Sequence, residues 1–304
     1  MKTYNKKQIP DHLQKYFEPA ELGLEENFQT YINHLCDIFD EVKRVLKKEG
    51  TCWVNISDTY YGSGNGTNDY RTEQSKSISG KRFDYNSMIQ ATQNKNLKLL
   101  PSKCLCQIPS RFAIEMCNRG WILRNEIIWY KPNCMPSSVK DRFTVDFEKI
   151  FFFVKNKKYW FETQYEPMAD ITLKDRRVSN DIKGTGWKDY RGEGVNGGIE
   201  VRQRIFNNLN PLGRNKRCVW RITTKPFKEA HFAVYPEDLC ETPIKAGCPE
   251  NGIVLDPFMG SGTTLVVAKK LGRRGIGIEL KEDYCNMAIK RIKEVPDKLF
   301  QGEI

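Results

Sequence analysis

The sequence has no apolar run long enough to span a bilayer, and no signal-peptide pattern opens it. A membrane-spanning helix is thereby excluded, and the cytosol is the default compartment. It has no Cys-x-x-Cys. Ten cysteines are scattered with Cys104-Leu105-Cys106 as the only close pair, and the histidines number three, His12, His34 and His231. Neither zinc-ligand spacing nor a disulfide framework fits that distribution, so no metal is expected and most of the cysteines read as reduced, buried small residues. No lysine follows Gly262 in the position that a phosphate-binding P-loop requires.

What is present is a surplus of positive charge. Lys and Arg number 49 against 38 Asp and Glu, a net charge of +11, which suits a polyanionic partner such as nucleic acid. The surplus is concentrated between residues 171 and 217, where eleven basic residues face five acidic ones. Lys174, Arg176, Arg177, Lys188, Arg191, Arg202 and Arg204 are the candidates for phosphate contacts. Trp187, Tyr190 and Phe206 are interleaved with them, placed to stack on bases or to anchor the loop. A solvated basic loop is the plainer alternative.

Apolar residues at three- and four-residue spacing (Phe28, Tyr31, Ile32, Leu35, Ile38, Phe39, Val42, Val45, Leu46) predict an amphipathic helix over 27–47. Further helices are expected over 108–118 and 265–271, and core strands over 51–57, 121–130, 147–154, 252–256 and 274–279. Residues 1–21, polar and broken by Pro10 and Pro19, read as a surface extension. Residues 60–98, rich in Gly, Ser, Asn, Thr and Gln, carry no periodicity; a loop of that length inside a domain is functional or disordered.

The most informative stretch is Asp256-Pro257-Phe258-Met259-Gly260-Ser261-Gly262-Thr263-Thr264. An apolar strand leads in and a helix leads out, which outlines a nucleotide-cofactor turn: glycines let the backbone approach a ligand, and a new helix offers free N–H groups. A second strand ends in Glu279, at the distance where the ribose-binding acid of a dinucleotide fold is found. A pyrophosphate would be repelled by Asp256. S-adenosylmethionine (AdoMet) has an ammonium and a sulfonium that favour a carboxylate beside the turn, and a ribose diol that favours Glu279. The charge pattern therefore favours AdoMet.

The run Trp220-Arg221-Ile222-Thr223-Thr224-Lys225-Pro226-Phe227-Lys228-Glu229-Ala230-His231-Phe232-Ala233-Val234-Tyr235-Pro236, continuing into the glycine turn, closely resembles the C-terminal half of bacterial and phage DNA amino-methyltransferases. Trp129-Tyr130-Lys131-Pro132-Asn133, with Met135 to Phe143, is similar to that family's middle segment, and Gly50 to Tyr60 to an upstream one. The resemblance implies an α/β fold: a Rossmann-like, circularly permuted AdoMet-dependent methyltransferase sheet, mostly parallel and seven-stranded, with inserted DNA-recognition loops. It implies the beta-class order, with the catalytic half over 1–159 including the long loop 60–98, the target-recognition region over 160–218 and the AdoMet half over 219–304. Asp256, Phe258, Gly260, Gly262, Thr263 and Glu279 would then hold AdoMet, with His231, Phe232 and Pro236 closing over it. Asn55, Asp58, Trp129 and Lys131 would fall near the pocket of a flipped base. Double-stranded DNA is the implied partner, and a cognate restriction endonuclease a genetic rather than a physical one.

The chain departs from the family at one place. The family's catalytic tetrapeptide, Asp, Asn or Ser followed by Pro-Pro and an aromatic, is absent, for no Pro-Pro pair occurs. The five expected strands also fall short of seven, and the two others would precede the helix at Asn27. Leu22-Gly23-Leu24-Glu25 matches the run that follows the tetrapeptide, so Met1 is expected to be an internal methionine or a truncated start, and no residue takes the catalytic role. No Pro-Cys dipeptide occurs either, which argues against methylation of a cytosine ring carbon. The style of the segments favours the cytosine amine over the adenine amine. A truncated remnant that binds DNA or AdoMet weakly is the alternative. An RNA or protein methyltransferase is disfavoured by the basic insert.

Overall fold

The computed structural model describes residues 22, 23, 25, 27–61, 100–168, 210, 212–225 and 235–296. The expected extension 1–21 and almost all of the loop 60–98 lie outside them, as does most of the basic span 171–217.

Helix α1 (Phe28–Val45) starts where the Asn27 side chain accepts the Thr30 N–H at 2.9 Å, an N-cap that satisfies an otherwise unpaired donor. Its buried stripe is Ile32, Leu35, Cys36 and Phe39. At its other end Lys155 Nζ donates to the carbonyls of Lys43 and Leu46, a cation on the negative end of the helix. Strand β1 (Thr51–Ile56) alternates. Cys52, Val54 and Ile56 face α1 and helix α2 (Ile108–Asn118) in one core, and Trp53, on the opposite face, stacks on Phe152 at 4.1 Å.

Strands β2 (Ile122–Tyr130) and β3 (Phe147–Val154) complete the centre of the layer. β3 pairs antiparallel with β1 on one side and β2 on the other. Buried on both faces, it reads as a nearly continuous apolar run rather than an alternating one. Phe112 of α2 packs against Phe39, Phe151 and Phe153. Strands β4 (Tyr165–Glu166) and β5 (Arg214–Asn215) form a short antiparallel ladder, closed by Glu166 against Arg214 and Arg217. Strand β6 (Val219–Arg221) pairs parallel with β2, which gives a four-stranded sheet in the order β1-β3-β2-β6.

Helix α3 (Glu237–Gly247) carries the chain to strand β7 (Ile253–Asp256), helix α4 (Thr263–Lys270), strand β8 (Arg274–Gly277) and helix α5 (Glu282–Glu294). β7 and β8 form a parallel pair. Among the described residues no ladder joins β1 to β7. The two sheets are linked by packing instead: Thr51 Oγ1 donates to the Gly247 carbonyl at 3.1 Å, and the Phe39 and Phe258 rings lie 6.3 Å apart. A Cβ at Gly247 would collide with Thr51 Oγ1 and Trp53 Nε1.

All five expected strands are present, 147–154 as expected and each of the others with one end shifted by one or two residues. The cysteines need a correction. Cys36, Cys52 and Cys106 are buried, but Cys104, Cys134, Cys240, Cys248 and Cys285 are only partly so and Cys117 and Cys218 are exposed, so most are not buried. Where burial is complete it is decisive, pushing the Cys52 thiol up to about 12.

Candidate functional site

β1 and β2 both run against β3 and so run together, and β6 runs with β2. α3 ends against the start of β1, and β7 sets out from the same side shortly afterwards. The tips of β1, β2 and β7 therefore share one edge, the carboxyl edge at which open α/β sheets bind ligands.

At the tip of β7 the chain turns through Gly260 (φ 51°) and Gly262 (φ 79°), both in the left-handed region that strains a side chain. Gly262 has a second reason: a Cβ there would lie 2.7 Å from that of Ala288 on α5. Arg291 of α5 braces the turn, donating through Nη1 to the Ser261 carbonyl at 2.6 Å, to Ser261 Oγ at 2.9 Å and to Thr263 Oγ1 at 3.1 Å. Thr263, expected among the cofactor contacts, is buried and engaged in that brace.

Two carboxylates converge on the turn. Glu279 accepts the Gly260 N–H at 2.9 Å through Oε2 and the Lys281 N–H at 2.9 Å through Oε1. Asp256 accepts the Phe258 N–H at 3.0 Å through Oδ1 and the Tyr235 phenol at 3.2 Å through Oδ2. Each oxygen has a lone pair left for a ligand. The Tyr235 oxygen also lies 2.6 Å from Thr264 Oγ1. Burial first, and the charge of Asp256 second, raise the Tyr235 pKa well above the usual phenol value, so the phenol stays a donor. Sequence reasoning misses Tyr235 as a site residue; its signal is a polar-tipped aromatic directly before Pro236, at the mouth of α3. Phe258, Ile278 and Leu280 are exposed beside the carboxylates. Apolar surface next to two fixed negative charges fits a ligand with an aromatic base, a diol and a cationic end, which is the make-up of AdoMet.

Pro236 is buried and occupies the N-cap of α3. His231 and Phe232 lie outside the described residues, as do Lys174, Arg176, Arg177, Lys188, Arg191, Arg202 and Arg204.

The four base-pocket candidates come together along the carboxyl edge of β1 and β2, and each is tied to its own surroundings. Asn55 donates to the Lys149 carbonyl at 3.1 Å. Asp58 accepts the N–H groups of Thr59 at 2.9 Å and of Ile108 at 3.1 Å, which caps α2. Trp129 is buried and donates to the Ile222 carbonyl at 2.8 Å. Lys131 pairs with Glu148, its ammonium 4.4 Å from the centre of the Trp129 ring. Asn133 exchanges two hydrogen bonds with the Thr224 backbone, at 2.9 and 3.0 Å, and so stitches the middle segment to the one after β6.

The profile of the N6/N4-type DNA methylases matches residues 2–290. The chain is 36% identical over 282 residues to the type II methyltransferase M.SmaI of Serratia marcescens, a match that covers 92% of this chain and 80% of that protein. It is 34% identical over 281 residues to M.Cfr9I of Citrobacter freundii, covering 92% and 77%. In fold it resembles the PvuII DNA methyltransferase (cytosine-N4-specific), with a TM-score of 0.53 at 16% identity, over 90% of this chain and 73% of that one.

Proposed function

Since the chain belongs to the DNA methylase family, we propose that it moves the methyl group of AdoMet to the exocyclic amine of cytosine, at N4, within a specific site of duplex DNA. It is an AdoMet-dependent methyltransferase of the restriction-modification type. The observation that carries the reading is the convergence of Asp256 and Glu279 on the glycine turn, each fixed by backbone N–H donors.

AdoMet supplies an activated methyl group on a sulfonium. The chain's own task is placement. Asp256, held by Phe258 N–H and the Tyr235 phenol, offers its remaining acceptor capacity to the cationic end of the donor. Glu279 does the same for the ribose hydroxyls. Phe258 and Ile278 form an apolar wall for the adenine. An exocyclic amine is a poor nucleophile because its lone pair is delocalised into the ring, so the base is extruded from the duplex. Transfer would require acceptors that draw the amine towards tetrahedral geometry in line with the methyl group, the role that the family gives to the tetrapeptide absent here. The S–CH3 bond would break as the N–CH3 bond forms, the thioether would leave and the nitrogen would lose one proton to solvent, a catalysis of position and electrostatics. Asn55 and Asp58 are proposed to rim the base pocket, with Trp129 and Lys131 acting from beneath by fixing Ile222 and Glu148. The region 160–218 is proposed to read the target, with the catalytic half before it and the AdoMet half from 219 onwards.

The test is to incubate the full chain with methyl-labelled AdoMet and mixed-sequence duplex DNA, and to digest the product to nucleosides. N4-methylcytosine is the expected product. N6-methyladenine would move the target to adenine. Neither product, with AdoMet bound in calorimetry, would overturn the assignment of methyl transfer to this chain.

A further inference from the structure

The segment joining β2 to β3, residues 131–146, leaves and rejoins the sheet at the carboxyl edge. Its apolar side chains face solvent: Phe143 is 98% exposed and Met135 88%. A fully hydrated phenyl ring forgoes about 2 kcal/mol of burial. Yet the residues just before it are held in place. Asp141 accepts from Lys103 Nζ at 2.7 Å, and the Arg142 guanidinium carbon lies 3.4 Å from the centre of the Tyr60 ring. The base of the segment is closed by Lys131 on Glu148. Phe143 thus follows two anchored residues and is presented outward, with exposed Lys140 three positions before it.

An enzyme that extrudes a base leaves an unstacked step, and apolar side chains that enter such steps stabilise a deformed duplex. The geometry points to Phe143 as a wedge that enters the base stack beside the target, with Lys140 on the adjoining phosphate. This assignment rests on the DNA-methyltransferase reading above. The charge beside the ring selects a polyanion over a second copy of this +11 chain as its occupant.

The test compares binding of the full chain, with AdoMet present, to a mixed-sequence duplex and to the same duplex with one central abasic position. The unaltered chain is expected to prefer the abasic duplex about tenfold, the equivalent of one base–aromatic stacking interaction. Phe143→Ala is expected to abolish the preference while AdoMet binding and affinity for the intact duplex stay within about twofold, a change worth under half a kcal/mol. Phe143→Trp restores the preference, and its emission is quenched by DNA. The wedge is overturned if Phe143→Ala keeps the preference, or if it weakens both duplexes equally. It is overturned too if the unaltered chain forms a dimer in sedimentation that Phe143→Ala dissolves. Binding of AdoMet but of neither duplex by the unaltered chain would take down the DNA-methyltransferase reading itself.

Discussion

Tyr235 fixes the orientation of Asp256, and its removal separates orientation from charge. Tyr235→Phe keeps the ring and deletes a hydrogen bond to a carboxylate, an interaction worth about 1.5–3 kcal/mol. AdoMet affinity measured by calorimetry is expected to fall about tenfold or more, because Asp256 is then free to rotate away from the ligand. The phenol is held above its ordinary pKa, so AdoMet affinity is expected to show no Tyr235 step as pH is raised through neutrality. At Gly262 the constraint is steric. Gly262→Ala meets both a φ of 79° and the Ala288 methyl, and a urea titration is expected to show a drop of about 2 kcal/mol or more. The meeting of Asp256 and Glu279 at the Gly260 turn was legible in the sequence because a strand, a glycine turn and a helix, followed by a second strand, place both carboxylates at one end of a parallel pair. Tyr235 was not, since what matters is that its hydroxyl reaches a carboxylate which chain order places 21 residues away.

At the scale of elements, α1 and α2 are joined by Arg119, whose guanidinium donates to Asp37 at 2.6 Å, Asp40 at 2.8 Å and Glu115 at 3.0 Å. Arg119→Met is expected to lower the unfolding free energy by about 1–2 kcal/mol at neutral pH, the modest figure reflecting carboxylates that remain partly in water. The hydrogen bond from Arg119, and then that from Asn118, hold the Glu115 pKa below the ordinary carboxylate value. A depressed carboxylate stabilises the fold above its unfolded pKa, about 4.3, and loses that contribution as pH falls through the folded value. The gap between Arg119→Met and the unaltered chain in urea midpoint should therefore narrow in acid. Strands with dense apolar content, such as Phe147–Val154, were readable in advance. α3 was not, because Pro243, a residue that argues against a helix, lies inside it and its buried residues are only Leu239, Ile244 and Ala246. β6 is three residues long and exists through its pairing with β2, which no local pattern announces.

For the whole molecule, a net charge of +11 makes DNA affinity a function of salt. Raising salt from about 50 to about 200 mM is expected to weaken duplex binding a hundredfold or more, and replacing Lys174, Arg176 and Arg177 with Gln to flatten the slope by about one for each phosphate that is no longer neutralised. A filter-binding series in salt checks both. The absence of a ladder between β1 and β7 among the described residues bears on a different property. β3 is hydrogen-bonded on both sides and packed on both faces, whereas all four residues of β8 are exposed and the β7–β8 pair meets the first sheet through α3 and the Phe39–Phe258 rings. Amide hydrogen exchange should register that inequality: Phe151 and Phe153 exchange only through global unfolding, while Val254 and Ile276 exchange through a cheaper local opening. Saturating AdoMet should slow the second group and leave the first unchanged, so that the β7–β8 pair behaves as a separate cooperative unit made rigid by its own ligand.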